Sequence, residues 1–571
     1  MSERIFIGVA WPYANGPLHL GHVAGSYLPA DIFARYHRLR GNDVLMVSGS
    51  DAHGTPITLK AEADGVVPAG VAERYHRSFL DSWERLGISF DLFTTTMTDN
   101  HRETVHELFD CLHAAGYIYS DTMLVSYSPD FDRYLPDRYV EGTCPHCAYD
   151  RARGDQCDNC GRTLDPVDLI APTYTRDGER YSVEVRETEH LFFRLSAFQD
   201  QLTEWVSARE SWRPNVRNFT LGYLREGLKD RAVTRNLDWG VSVPMEGYDD
   251  RRIYVWFEAV MGYLSASREW AKASGDADAW RPFWEDSATR SYYFMGKDNI
   301  PFHTIIWPAI LIGVGGLNRP TDVPANEYLG IEGEKLSTSR NWAVWLPDYL
   351  DRFPPDPLRY YLSAAMPETA DSDFSWTEYV RRNNDELVAT FGNLVHRVLT
   401  MVQRNFAGKV PDAPALEPVD RDLREKTDAA LDAVAASLDD APRFREALGH
   451  AMGLAREANR YIDTKAPWRQ VREDLASAAV TLSTALYAIA GLKAALYPFI
   501  PFSAQRLHEL LGFEGRVEDH GWQIVAPVSG STLPEHAPLF AKLDDSLAEE
   551  MVDKLGSGDG NGRGRREPGS S

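Results

Sequence analysis

Residues 5–22 read Ile5-Phe6-Ile7-Gly8-Val9-Ala10-Trp11-Pro12-Tyr13-Ala14-Asn15-Gly16-Pro17-Leu18-His19-Leu20-Gly21-His22. The run Ile5 to Ala10 predicts a short buried strand, and a glycine-containing turn then leads into a helix from about Gly21 to Arg40, whose apolar residues recur at helical spacing. Asp43 to Gly49 predicts a second strand. A strand, a crossover helix and another buried strand open a doubly wound α/β sheet, in which ligands gather at the carboxyl ends of the strands. The loops after Ala10 and Gly49 should therefore face one site. Similar α/β material returns near Arg252 to Val260 and Ser291 to Gly316, so the domain is split by an insertion that holds a cysteine-rich stretch.

Composition bounds what such a chain can do. At 571 residues it is long enough for two or three domains with well-buried cores. A formal net charge of -24 argues against a general nucleic-acid coat, because such proteins neutralise phosphates with surplus Lys and Arg. Any RNA contact must use local basic patches. The N-terminus has too short an apolar run for a signal sequence, and no stretch is expected to have the apolar length of a membrane span. A cytoplasmic location is expected, and in a reducing compartment the five cysteines suit metal better than disulfides.

After Phe374 the pattern changes to long amphipathic helices through Glu378 to Phe406, Arg421 to Ser437, Arg443 to Asp463 and Asp474 to Leu510, which predicts a helical bundle. From Gly556 to Ser571 the chain is mostly Gly, Ser, Asp, Asn and Arg, a composition too polar to offset the entropy of ordering. This predicts a disordered tail.

Three motifs carry chemistry. His19 and His22 lie one helix turn apart where a loop becomes a helix, so both can donate to phosphate oxygens at a dipole-favoured end, while Gly21 lets an adenine ring approach. Alone, such a pair is more often two surface histidines. Gly333-Glu334-Lys335-Leu336-Ser337-Thr338-Ser339-Arg340 forms a small polar loop; a mobile lysine there can close over a triphosphate, although in isolation it is usually just solvated. Cys144-Pro145-His146-Cys147 and Cys157-Asp158-Asn159-Cys160 are two C-x-x-C pairs nine residues apart. Four thiolates in that pattern suit one structural Zn²⁺ with no open position, with a redox dithiol as the alternative. Cys111, in the helical stretch His101 to Ala115, is expected to be a small buried apolar residue.

Together and in this order, the first two motifs resemble the "HIGH" and "KMSKS" signatures of class I aminoacyl-tRNA synthetases. To about residue 545 the chain resembles the methionyl-tRNA synthetase family, through Pro12–Gly16, Asp51-Ala52-His53-Gly54-Thr55-Pro56, Tyr254-Val255-Trp256-Phe257-Glu258-Ala259, Gly296-Lys297-Asp298, Phe302-His303, Leu358-Arg359-Tyr360-Tyr361, Ala458-Asn459-Arg460-Tyr461 and Ala466-Pro467-Trp468. The resemblance implies a split Rossmann-type sheet with a zinc-knuckle insertion, followed by an all-α anticodon-binding bundle. The boundaries it suggests are 1–116 and 251–322 for the catalytic halves, 117–250 for the insertion, 323–376 for the signature loop and stem-contact region, 377–545 for the bundle and 546–571 for the tail.

The resemblance also implies roles for residues. ATP, with Mg²⁺, would be held by Gly21, Lys297, Asp298, Lys335 and Thr338, with His19, His22 and Lys335 in transition-state contact. L-methionine would meet Trp11, Tyr13, Asp51, Trp256, Ala259, Tyr263, Asn299 and His303; Asp51 would bind the ammonium, and Tyr263 and His303 would hydrogen-bond the sulfur. For tRNA(Met), Arg235 would contact the active-site end, while Asn393, Arg397 and Trp468 would read the anticodon. Trp11, Val260 and Asn299 stand where familiar bacterial members have Leu, Pro and Ile. Thr338 stands where "KMSKS" has its second lysine, which shifts charge stabilisation toward Lys335 and Arg340. Isoleucyl, valyl and leucyl enzymes resemble this architecture but carry a much larger editing insertion, the cysteinyl enzyme uses active-site zinc, and intact His19, His22, Asp51 and Lys335 argue against a non-catalytic paralogue. With no appended dimerisation domain after the bundle, a monomer is expected.

Overall fold

The computed structural model describes residues 2–154, 157, 159–160, 164–176, 178–338, 340–413 and 415–556. The expectations for Ser339 and for the tail beyond Gly556 lie outside the described residues. Five parallel strands form the central sheet: β1 (Arg4–Val9), β2 (Asp43–Ser50), β3 (Leu92–Thr95), β4 (Arg290–Gly296) and β5 (Ala325–Asn326), in the order β5-β4-β1-β2-β3. The chain thus winds outward from β1 on one side and, after the insertion, from β1 on the other. The order reverses between β1 and β4, so the crevice for a ligand lies beyond their carboxyl ends.

Both faces of this sheet are covered, which is why its strands read as nearly continuous apolar runs. Ile5, Ile7 and Val9 point into a core shared with Leu28, Phe33 and the helical bundle. Phe6, Leu45 and Val47 point the other way, against Phe109, Leu264 and Ile310. The helix after β1 runs from Leu20 to Leu39 with one wider turn at Val23–Tyr27.

The insertion contains two antiparallel four-stranded sheets. In one, Ile118–Ser128 pairs along its length with Glu184–Phe193. The other, built on Val140–Thr143 and Ile170–Arg176, presents the cysteine pairs.

Three expectations need correction. The stretch Asp474 to Leu510 is two helices, Leu475–Leu496 and Pro501–Leu510, because Pro498 and Pro501 lack the N–H that a continuing helix needs. Leu475–Leu496 is long and apolar enough to cross a membrane, contrary to the expectation that no stretch is; 67% of its most apolar window is buried inside the protein as a central helix of the bundle. Cys111 is exposed, since the buried stripe of its helix runs through Val105, Leu108, Phe109 and Leu112.

One buried link ties bundle to sheet. Arg359 is wholly buried, pairs with Asp31 at 2.6 Å and donates to the Phe499 and Pro498 carbonyls at 2.9 and 3.0 Å.

Candidate active site and metal centre

The crevice beyond β1 and β4 gathers segments that lie far apart in sequence. The loop after β1 is pinned to the end of β2: the Ala14 N–H donates to the Asp51 carbonyl and the Asp51 N–H to the Pro12 carbonyl, each at 2.8 Å. This sets Tyr13 beside Asp51. The Asp51 side chain is buried and accepts the His53 N–H at 3.1 Å. Burial, and then the charge of Glu258, hold its pKa well above the usual carboxylate range, with His53 opposing. A carboxylate that dry favours a cationic group as ligand.

Aromatic rings enclose the neighbouring space. Tyr13 meets Trp256 edge-on at 5.7 Å, and Trp256 stacks on Phe302 at 4.5 Å. Deeper in, Tyr263 Oη and His303 Nε2 lie 2.6 Å apart, and His303 Nδ1 lies 2.9 Å from the Asn299 carbonyl. Burial lowers His303 to about 4, so the ring is neutral at pH 7. A carbonyl can only accept, so Nδ1 carries the hydrogen and Nε2 accepts from Tyr263. Both hydrogens are already given to protein acceptors. The expected hydrogen bonds from this pair to a thioether sulfur are therefore not on offer in this arrangement. Trp11 fits a slot bounded by Gly49 and Gly262, where an added Cβ would lie 2.4 and 2.8 Å from its ring. Those two glycines make room for the larger residue. Ala259 and Asn299 are half-buried in adjacent turns.

His19 and His22 stack with centroids 3.7 Å apart. The His19 N–H donates to His22 Nδ1 at 3.2 Å, which leaves the His22 hydrogen on Nε2. Burial lowers His22 to about 4 and, together with His22, takes His19 well below the ordinary value. The pair is neutral and donates as dipoles. Gly21 is required for space: a Cβ there would lie 3.1 Å from the His19 ring and 3.4 Å from Leu336.

Leu336 brings in the second signature. The Leu20 N–H donates to the Val344 carbonyl at 3.2 Å and the Leu346 N–H to the Leu18 carbonyl at 2.8 Å, stitching the segment after Lys335–Arg340 onto the histidine turn. Reciprocal bonds between Ser337 and Trp342, at 3.0 and 2.9 Å, close a hairpin whose turn includes Thr338 and Arg340. Lys335, Thr338 and Arg340 are exposed. The Lys335 ammonium lies 5.6 Å from the Tyr328 ring centre, and that of Lys297 lies 3.9 Å from it. Lys297 pairs with Glu327 at 2.7 Å and Asp371 at 2.9 Å, while the Tyr328 hydroxyl donates to Asp298.

Several of these residues escape a reading of sequence alone. Phe302, Tyr328, Trp239, whose indole donates to the Ala52 carbonyl at 2.7 Å, and the buried His53–Glu258 pair at 2.6 Å all sit among the residues of this crevice. Phe302, His53 and Glu258 do lie in segments that carry the family resemblance. Nothing in the spacing of the last two predicts that they meet.

In the insertion the four sulfurs of Cys144, Cys147, Cys157 and Cys160 lie within 4.8 Å of one another. Sγ atoms of Cys144 and Cys160 are 3.9 Å apart and those of Cys147 and Cys157 are 3.6 Å apart. Disulfides close to about 2 Å. Four thiolates about 2.3 Å from a tetrahedral ion lie about 3.8 Å from each other, so this donor set fits a closed metal site. The His146 N–H and the Asn159 side chain already point at sulfurs, at 3.4 and 3.5 Å, and the Asn159 bond leads the causes that lower the Cys147 thiol to about 6.

Of the positions expected to meet tRNA, Arg235 lies over the Tyr254 ring at 4.2 Å and donates to the Ala232 and Thr234 carbonyls. Asn393 is exposed, Trp468 is 40% exposed, and Arg397 lies 5.2 Å over the Trp468 ring while pairing with Asp463 at 3.1 Å. The structure brings Arg397 and Trp468 together and leaves the indole open to solvent.

The model for "tRNA synthetases class I (M)" matches residues 5–399, and that for "Anticodon binding domain of methionyl tRNA ligase" matches residues 410–559. The chain belongs to the methionyl-tRNA synthetase family. A methionine–tRNA ligase of Dehalococcoides mccartyi is 58% identical over 556 residues, covering 97% of this chain and 100% of that protein. One from Thermomicrobium roseum is 52% identical, covering 97% and 99%. Among solved structures, Mycobacterium tuberculosis methionyl-tRNA synthetase in complex with methionyl-adenylate is similar with a TM-score of 0.77 and 28% identity, covering 94% of this chain and 99% of that one. The split sheet precedes the helical bundle, and the crevice beyond β1 and β4 falls within the first of the two matched regions.

Proposed function

We propose that this chain is a methionine–tRNA ligase: it uses ATP to convert L-methionine to methionyl adenylate and pyrophosphate, then transfers the methionyl group to tRNA(Met) for initiation and elongation. The observation that carries this reading is the dry Asp51 carboxylate beside an aromatic enclosure, next to two neutral histidines at a helix start. Asp51 takes the substrate ammonium, and Tyr13, Trp256, Phe302 and Tyr263 surround the thioether, with Trp11, Ala259, Asn299 and His303 shaping the enclosure behind them.

The substrate carboxylate attacks the α-phosphorus in line, a P–O bond forms, and the bond to pyrophosphate breaks. No covalent intermediate with the enzyme is needed, so catalysis is positioning and charge stabilisation. Mg²⁺ bound with ATP neutralises phosphate charge. Gly21 admits the adenine; His19 and His22 donate N–H groups to phosphate oxygens; Lys297, Asp298 and Thr338 hold the nucleotide; and Lys335 meets the charge that develops on the leaving pyrophosphate. The 2′ hydroxyl of the tRNA's terminal adenosine then attacks the carbonyl of the adenylate and releases AMP, with Arg235 holding that end of the RNA. Asn393, Arg397 and Trp468 read the anticodon, the indole by stacking and the other two by hydrogen bonds to base edges.

Zn²⁺ on Cys144, Cys147, Cys157 and Cys160 braces the insertion; the thiolate spacing supports this, and no chemical step passes through it. A reducing cytoplasm suits that set of free thiols. We take the working unit to be the monomer. Amino-acid-dependent ATP–pyrophosphate exchange across the twenty amino acids tests the activation step and its substrate. Methionine alone should support strong exchange; a response to leucine or isoleucine without methionine overturns it.

A further inference from the structure

A chain with 60 Lys and Arg against 84 Asp and Glu attracts a polyanion only where cations gather. One such place is the groove between the continuous helix from Trp376 to Asn405 and the helix Phe444–Lys465. Near the sheet the groove widens into a cavity of about 830 Å³, whose lining includes Arg382, Glu386, Arg445, Gly449 and Arg456. Arg456 also borders a second opening of about 650 Å³, with Thr390, Asn459 and Asp463. The two helices stay in step beyond it: the Asn459 side chain donates to the Thr390 carbonyl at 2.9 Å, and Arg397 reaches Asp463 at 3.1 Å. One groove thus leads from the sheet to the Arg397–Trp468 pair. Arg382 to Arg397 spans about 22 Å of helix axis.

Two features of its floor point to a ligand. Most acids on the lining are already engaged: Glu446 pairs with Arg443, Glu386 with Arg382 and the Tyr360 hydroxyl, Asp322 accepts the Val323 N–H, and Glu368 accepts the Phe444 N–H and feels the Arg445 charge, while Glu210 also lines the cavity. Among the described residues, Arg445 and Arg456 make no ion pair, and being three turns apart they share one helix face. Between them stand Gly449 and Gly453, residues unfavourable in a helix interior. No packing requires them: an added Cβ would meet nothing within 4 Å at Gly449, and only the Arg456 guanidinium, at 3.9 Å, at Gly453. They leave the helix backbone bare toward the groove, which suits close approach by another backbone.

We propose that this groove is a track for the phosphodiester backbone of the tRNA stem below the anticodon loop, with Arg445 and Arg456 as phosphate contacts. The proposal rests on the reading of Arg397 and Trp468 as the anticodon end. Phosphate contacts hold register without reading sequence, so the track positions the stem while the bases are read further along.

The test compares full-length Arg445→Gln/Arg456→Gln with Trp468→Ala, measuring KM for tRNA in charging from about 50 to 200 mM salt, with ATP–pyrophosphate exchange as control. For the arginine variant, exchange should stay within about twofold of wild type, KM for tRNA should rise about tenfold, and the slope of log KM against log salt should fall by about 1.5 to 2, close to one for each phosphate no longer neutralised. Unchanged KM and slope in that variant, with charging lost in Trp468→Ala, overturns the track and leaves the anticodon reading standing. A raised KM and a shallower slope in the arginine variant, with Trp468→Ala charging normally, keeps the track and removes the anticodon reading. Wild-type charging by both variants overturns both.

Discussion

The two signature segments, which the proposed function joins in one reaction, are built to opposite rules. His19 and His22 are stacked, neutral and fixed by backbone bonds at the end of β1, with His22 held in one tautomer. Lys335, Thr338 and Arg340 sit on an exposed hairpin, and the ion pair between Arg340 and Glu334 is a long one at 3.9 Å. The histidine pair is already ordered, whereas the hairpin carries full charges in water, which would strengthen if the proposed substrate excluded that water. On the proposed reading, the difference teaches where catalytic energy is stored: dipoles are set in the fold, and net charge sits on an exposed hairpin.

Removing the hairpin's charge should have the largest effect. Lys335→Ala is expected to lower kcat of methionine-dependent exchange about 10²- to 10³-fold, the usual loss when one transition-state donor is removed, with KM for methionine within about twofold. Near-wild-type exchange by this variant breaks the comparison, since the hairpin would then carry no charge that matters.

Acid should act on the histidine pair alone. His22 is lowered in the folded state from 6.5 to about 4, so between those values the unfolded chain binds more protons than the folded one. The stabilisation is therefore complete above 6.5 and is lost as pH falls toward 4. At pH 5 the loss from His22 amounts to about 2 kcal/mol relative to pH 7. Denaturant unfolding of wild type and His22→Gln at these two pH values checks it, and the variant should lack that share of the decline. His303, lowered to about 4 by the same burial, continues to titrate in both proteins. An equal decline in the two proteins would show that the stacked pair is not held neutral.

The same contrast explains how much could be read from sequence. The sheet and its crevice were legible because apolar runs around His19 and Asp51 follow the short periods of strand and helix. The cysteine cluster was legible because its spacing is local. Pairings between distant segments were not: nothing near His53 announces Glu258, and nothing near Tyr263 fixes the His303 tautomer. Periodicity also cannot tell a membrane-length apolar helix from one buried at the centre of a bundle, which is where Leu475–Leu496 went. Cys111 was misplaced because a short residue on the polar side of an amphipathic helix looks the same in composition as one on the buried side.

The smallest effect separates charge from position on the hairpin. Thr338 lies beyond the Ser337–Trp342 bonds, on the turn, whereas Lys335 lies before them, near Tyr328 and next to the residue that touches Gly21. A lysine placed at 338 stays solvated in the open loop, where an exposed charge is worth about 0 to 1 kcal/mol. Thr338→Lys should therefore raise kcat of exchange by no more than about fivefold, and in the Lys335→Ala background it should restore no more than about the same factor. If the lysine at 338 instead returned the double variant to wild-type exchange, the number of charges on the hairpin would matter and their place would not. The stitching of the hairpin's return side onto the histidine turn, through Leu20 to Val344 and Leu346 to Leu18, argues for place, because the Ser337–Trp342 bonds pair that side with the segment carrying Lys335.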